Sequence, residues 1–510
     1  MSAAQGAPAQ PAAGDEAAYL QVELGDHAGP VRRIAVDAQR GVVVTGADDK
    51  TARTWSLDSG ELQRVLRPPV GPLEVGRVYG VAMHPLQPWV AVGGTSAQRS
   101  ERGGTHWIYL YDAVSGAPLR RFDARGGDVK RLLWSADGAL LIAAYAGDHA
   151  VRAFDAQGNV VFEDRFGAGV YALARSPQGQ LAAAALDGTL RVYDLAGGKL
   201  VQRAQRTTPG RNPVSLAFSP DGGTLVVGYF LPGKTPDLIA WESGTTQPLP
   251  APSGMQSENL MAVAWSAHDG RVIAAGTHGY SARKVPLVFY DPAARRVSET
   301  RVVARLSVTD LAALADGRVA YAASDGAWGV SGARPVARAA QLLQLLRADD
   351  VRASADGSRL SWPLDGGGER VTFDLARRTL AQGEGGDLSG PRVRRGVFDA
   401  PTEWENLTTP RVNGARIALH DDEVSRAVAL FAHGKDAALG TSRALYRIGP
   451  DGQVVWRVTT PTEVRAVLVT REDRLIVTAL LDGTIRLWRS SDGAELLTLL
   501  VLREGKWVMW

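Results

Sequence analysis

At 510 residues the chain exceeds a single hydrophobic core, so several domains or an extended repeat array are expected. Its 57 Lys and Arg against 54 Asp and Glu leave a net charge of +3, too weak to imply a nucleic-acid partner. Cysteine is absent, which excludes disulfides, Cys-ligated metal centres and thiol nucleophiles, and the 45% apolar content can build a core without such staples.

Residues 1–17, rich in Ala, Pro, Gln and Gly, read as a disordered tail without the basic and apolar regions of a secretory signal, so a cytoplasmic location is expected. No run of 18 apolar residues occurs, so no membrane partner is expected. The stretch AYLQVEL (18–24) is a candidate strand that would close a ring as the outer strand of its last repeat.

From residue 27 onward, short apolar or alternating segments such as VSLAF, TLVVGY and LIVTAL flank turns of the Ser-Pro-Asp-Gly type, intact at Ser219-Pro220-Asp221-Gly222. Successive turns lie about 38 to 52 residues apart, except for one gap of about 78 after Gly357. An Asp-x-x-x-Arg-x-aromatic spacing recurs with them: Asp49, Arg53 and Trp55; Asp148, Arg152 and Phe154; Asp187, Arg191 and Tyr193; Asp482, Arg486 and Trp488. A catalytic group is normally present once; four copies at one spacing are architecture.

Four short antiparallel strands per period predict an all-β fold of propeller blades. Ten repeats begin near residues 27, 75, 126, 167, 211, 257, 305, 346, 424 and 462. The expected partition is a ring of about seven blades over 18–345, then further blades over 346–510 with an insertion at about 384–423. A degenerate repeat inside that insertion would account for the long gap.

Residues 27–67 carry the closest match to a known pattern and resemble the WD40 family. The resemblance implies a hydrogen-bonded structural tetrad of His27, Thr45, Asp49 and Trp55. The other repeats have no obvious matching His, so their blades are expected to rest on apolar packing more than on buried polar networks.

Three motifs suggest chemistry and are outweighed by blander readings. GYFLPGKT (228–235) fits the phosphate-loop pattern, but Pro236 and the strand-like DLIAW replace the helix whose N-terminus that chemistry needs. HDDEV (420–424) and RVRRG (392–396) read as solvated loops, and the eight His residues show no metal-ligand spacing. No catalytic residue, metal or cofactor is expected.

Three loops between second and third strands are long: 93–107, 228–237 and 276–286. All three would emerge on one face, and their Arg99, Arg102, Tyr229, Phe230, Tyr280 and Arg283 are candidate contacts for a protein partner. The stretch from Trp404, with Asn413-Gly414, Glu423, Gly440-Thr441, DGTIRLW and KWVMW, resembles bacterial WD40 proteins associated with caspase-like peptidases. That resemblance implies a scaffold or regulator acting as partner, inhibitor or substrate of such a protease in a stress or defence pathway. The alternatives are a propeller enzyme, hydrolase or dehydrogenase, with a central-channel site, or a small-molecule sensor.

Overall fold

The computed structural model describes residues 23–71, 74–96, 106–196, 199–208, 212–279, 282–339, 350–364, 370–392, 394–395, 398–399, 406–412, 415–420, 423–502 and 504–510. The tail expected over 1–17 and most of the 18–24 stretch lie outside them. Among the described residues the fold is all-β, without a helix, and ten antiparallel sheets follow one another along the chain. Nine have four strands and the tenth has five. No helix is long and apolar enough to cross a membrane.

The first sheet shows how the sequence builds each unit. Val31–Asp37 pairs with Val42–Ala47, then Ala52–Ser56 and Leu62–Leu66, each joined to the next by a tight turn. The second strand, VVVTGA, is buried on both faces. Equivalent strands Leu141–Tyr145, Leu181–Ala185 and Leu475–Leu480 are likewise apolar and almost wholly buried. A strand apolar on both sides cannot face water on either side, so its sheet must be sandwiched between neighbours.

The first seven sheets provide those neighbours in chain order. Val78, Val81 and Val92 of the second sheet share a core with Val42 and Val44 of the first. The third and fourth sheets meet through Ile142, Ala144, Leu173 and Ala183. The circuit closes where Val31, Ile34 and Trp55 of the first sheet pack with Ala320, Trp328 and Val330 of the seventh. The Trp55 and Trp328 rings lie 5.1 Å apart. Polar ties follow the same seam: Thr309 Oγ1 donates to Val31 O at 2.6 Å, and Ile34 N to Asp310 Oδ2 at 3.1 Å.

Of the 18–24 stretch the structure describes Glu23 and Leu24, and Glu23 receives hydrogen bonds from Arg53 and Arg67 of the first sheet, both at 2.6 Å. The seventh sheet takes its fourth strand, Val336–Arg338, from its own repeat. Asp26 adds a polar tie to this seam, accepting from Arg338 at 2.9 Å; residues 18–22 of the stretch expected to close the ring lie outside the described residues.

The last three sheets stack in a different order from the chain. Sheet ten packs on sheet nine through Ala427, Leu445, Val464 and Trp488. Its other side packs on sheet eight, where Leu360, Trp362 and Phe373 meet Leu468, Val477 and Leu487. The spatial order is nine, ten, eight. Where a degenerate repeat was expected, the described residues hold two short two-stranded pairs at 394–399 and 411–416.

The first strand of most sheets carries a bulge near its start, skipping Arg32, Tyr79, Lys130, Tyr171, Val214, Thr309, Arg426 and Arg465. A bulge re-aims the side chain at and beside it.

Truncating the seam is expected to be costly. Trp328→Ala should lower unfolding stability by about 3–5 kcal/mol, measured by guanidinium denaturation; a loss under about 1 kcal/mol would mean the first and seventh sheets are not held together at this contact.

Candidate interaction surface and its polar supports

The four residues of the first-repeat tetrad converge. His27 Nε2 lies 2.7 Å from Thr45 Oγ1, and Trp55 Nε1 donates to the same oxygen at 2.7 Å. The Asp49 carboxylate can only accept, so its 2.8 Å contact places the proton on His27 Nδ1, and in the neutral ring Nε2 then accepts from the Thr45 hydroxyl. Asp49 also accepts from the backbone of Ala28 at 2.9 Å and Thr51 at 3.0 Å. Burial by itself would raise the Asp49 carboxyl, but His27 and Arg53 outweigh it and hold it well below the usual carboxylate range.

In the other three copies the Asp and Arg divide their tasks. Asp187 accepts from Thr189 N at 2.8 Å, and Asp482 from Thr484 N at 3.0 Å, so each fixes its own hairpin. The arginines reach further. Arg152 bonds Asp148 and also Glu163 at 2.8 Å; Arg486 reaches Glu495 at 2.8 Å. Arg191 and Tyr193 both reach Asp164 on the outer strand of the preceding sheet, at 2.8 and 2.6 Å. Phe154 stacks on Phe122 of the second sheet, and Trp488 Nε1 donates to Thr478 at 2.8 Å.

Two polar networks are absent from the sequence reading. Buried Glu423 accepts from Thr441 Oγ1 and Tyr446 OH, both at 2.8 Å, and pairs with Arg457. The 18-residue step from Glu423 to Thr441 equals that from His27 to Thr45, the one signal that would have exposed it. Glu423 thus occupies the His position of its sheet and gives a buried polar network to a blade expected to rest more on apolar packing. It also removes this residue of HDDEV from any solvated loop; residues 421 and 422 lie outside the described residues.

The second network centres on His84, between Trp89 and Trp134 at 5.2 and 4.6 Å. Its Nδ1 accepts from Leu86 N and Gln87 N at 3.0 and 2.9 Å, so the proton sits on Nε2, which faces Gly138 O at 3.2 Å in the third sheet. Gly138 has φ +71°, and a Cβ there would run into the imidazole, so only glycine suits both backbone and ring.

Of the partner-contact candidates, Arg99, Arg102 and Tyr280 lie outside the described residues. Tyr229 is corrected: it is 0% exposed, ending strand Thr224–Tyr229, and its hydroxyl donates to Asp237 Oδ2 at 2.8 Å. Tyr229 still lies within a strand buried on both faces, whereas Phe230 begins the loop beyond it and is 58% exposed. Arg283 sits at φ +53° on the loop of the next sheet.

These two loops are tied together. Gly233 N donates to Glu258 O at 2.8 Å, and the Glu258 carboxylate lies 3.4 Å from His278 Nδ1. Thr277 N donates to Asn259 O at 3.0 Å and Lys284 N to Gly279 O at 3.0 Å. Glu258 therefore pins the 230–236 turn of the fifth sheet to the 276–284 loop of the sixth. After GYFLPGKT the chain enters strand Asp237–Ala240, so no helix N-terminus faces that loop.

Residues 19–56 and 161–194 match the WD domain, G-beta repeat family. Each matched stretch ends on a copy of the Asp-x-x-x-Arg-x-aromatic cluster, at Trp55 and at Tyr193. No curated protein matches the chain.

Burial, reinforced by Arg40 and opposed by the Gly138 carbonyl, lowers the His84 imidazole below its ordinary 6.5. Below that value the unfolded chain binds a proton that the folded ring resists, so stability is full above about pH 6.5 and falls as pH drops toward the folded value. Denaturation midpoints measured from about pH 7 to 5 should show this slope, and His84→Asn, which keeps an acceptor near the Nδ1 position, should flatten it. An unchanged slope in the variant would dismiss His84 as its source. Separately, Thr45→Val should cost about 1–3 kcal/mol by stranding His27 and Trp55, measured by the same denaturation.

Proposed function

We propose that this chain is a non-catalytic protein-interaction scaffold. WD40 repeats commonly mediate protein–protein contact, and the observation that carries the reading is the Glu258 pin. It joins two loops of neighbouring sheets, one carrying the exposed Phe230 and the other carrying Arg283. Fixing such loops before binding lowers the ordering cost of association, and exposed aromatic and Arg residues supply most interface energy. The recurrent acids and arginines support the same reading, since Asp148, Asp187, Asp482 and their arginines are engaged in turns and ties.

The finer part of the proposal is that the partner belongs to a bacterial caspase-like protease system. It rests on the resemblance of the stretch from Trp404, in which Glu423, Thr441 and Trp488 hold buried positions. Mass spectrometry of what copurifies with the native chain tests it. A caspase-like protease or its regulator among the stoichiometric partners is the expected result.

Phe230→Ala combined with Arg283→Glu should weaken capture of that partner at least tenfold, with the melting temperature unchanged, since neither side chain belongs to the core. Undiminished capture by the double variant would remove the loop patch from the interface.

A further inference from the structure

The first strands of the first, third and seventh sheets are bulged at Arg32, Lys130 and Thr309, directly beside Arg33, Arg131 and Asp310. Contacts there run between sheets that are not neighbours. Arg33 spans from the first sheet to the third, its Nε and Nη2 donating to Lys130 O at 3.3 and 3.2 Å. Arg131 spans from the third to the seventh, its Nη1 donating to Asp310 Oδ1 at 2.7 Å. Because these sheets are not neighbours, both contacts cross the interior of the ring.

The charges there do not balance. Arg32 is matched by Asp48 at 2.6 Å, and Lys130 by Asp128 at 3.1 Å. Arg33 and Arg131 are left with Asp310, whose two oxygens are taken by Arg131 and by the backbone of Ile34. Arg33 is given only carbonyl oxygens, those of Lys130 and Arg32. One positive charge is therefore in excess among the described residues. Burial, and then the neighbouring Arg131, lower the Arg33 guanidinium to about 10, as expected of a cation without a full counter-charge. The Arg131 side chain remains 22% exposed, so solvent reaches the pair.

A planar guanidinium with unused donors beside a second one suits an oxyanion, which accepts paired N–H bonds and supplies the missing charge. We propose that the centre of the ring binds an oxyanion, a carboxylate or a phosphate group, between Arg33 and Arg131. The site is separate from the loop patch on the fifth and sixth sheets and does not depend on it.

Isothermal titration calorimetry of the full chain with sodium phosphate, and in parallel sodium acetate, at constant ionic strength tests the site. The wild-type protein should bind at least one of them saturably, and the tighter of the two assigns the group. Arg33→Met should weaken that binding at least tenfold. Asp310→Asn, which removes the competing charge at nearly constant shape, should strengthen it severalfold. A purely structural cross-ring tie would give no such opposite signs. The proposal is overturned if wild-type protein shows no saturable heat with either anion up to about 50 mM, or if either variant that folds binds as the wild type does. The wild-type titration decides even if Arg33→Met fails to fold.

Discussion

Each sheet of this protein is apolar on both faces through its middle strands, and that single constraint organises the molecule. VVVTGA, LIAAY and LAAAA would expose two greasy surfaces apiece if their sheets stood alone. Burial of apolar area is the dominant favourable term in folding, so every sheet must find a partner on each side. A linear stack leaves two faces unmet, whereas a ring leaves none. The packing of Trp55 and Ile34 on Trp328 and Val330 is where the chain satisfies the rule, across more than 270 residues of sequence.

Three polar networks enter this apolar stack with their partners supplied. His27 lies between Thr45 and Asp49, Glu423 among Thr441, Tyr446 and Arg457, and His84 between two backbone N–H groups and a carbonyl. An unpartnered buried polar group costs free energy that a satisfied one does not, so these networks specify register as well as stability. The centre of the ring departs from this pattern. There two arginines share one aspartate, and the imbalance is what makes the axis a place for a ligand.

The last three sheets form a stack in which, among the described residues, sheet ten packs against a sheet on both sides. Sheet ten supplies a face to both nine and eight, and Phe373 of sheet eight meets Trp507 at 4.9 Å. Arg392, ahead of sheet nine, ties the intervening segment down through the carbonyls of Leu430, Val469 and Thr470. Packing order thus follows which apolar faces fit, and the short strands between sheets eight and nine give the chain the length to cross over.

The repeat period, the four short strands in each unit and the turn positions were legible in the sequence because each is a local periodicity: alternation of two along a strand, Gly at a turn, an Asp four residues before an Arg; the tetrad residues came from the resemblance of residues 27–67 to the WD40 family. Glu423 escaped notice because its role depends on an 18-residue step with a different acid in place of His. Tyr229 was misplaced on the surface because the buried strand runs one residue further than the loop reading allowed, ending at Tyr229 and leaving Phe230 as the first exposed position. The spatial order nine–ten–eight, the Glu258 pin and the meeting of Arg131 with Asp310 were decided only by the tertiary structure. That last contact joins residues 179 apart, and no spacing within a repeat encodes which distant sheet will face the ring axis beside it. The sequence by itself determined the units, since their information is local; closure chose the neighbours, since only the assembled ring brings those faces and charges together.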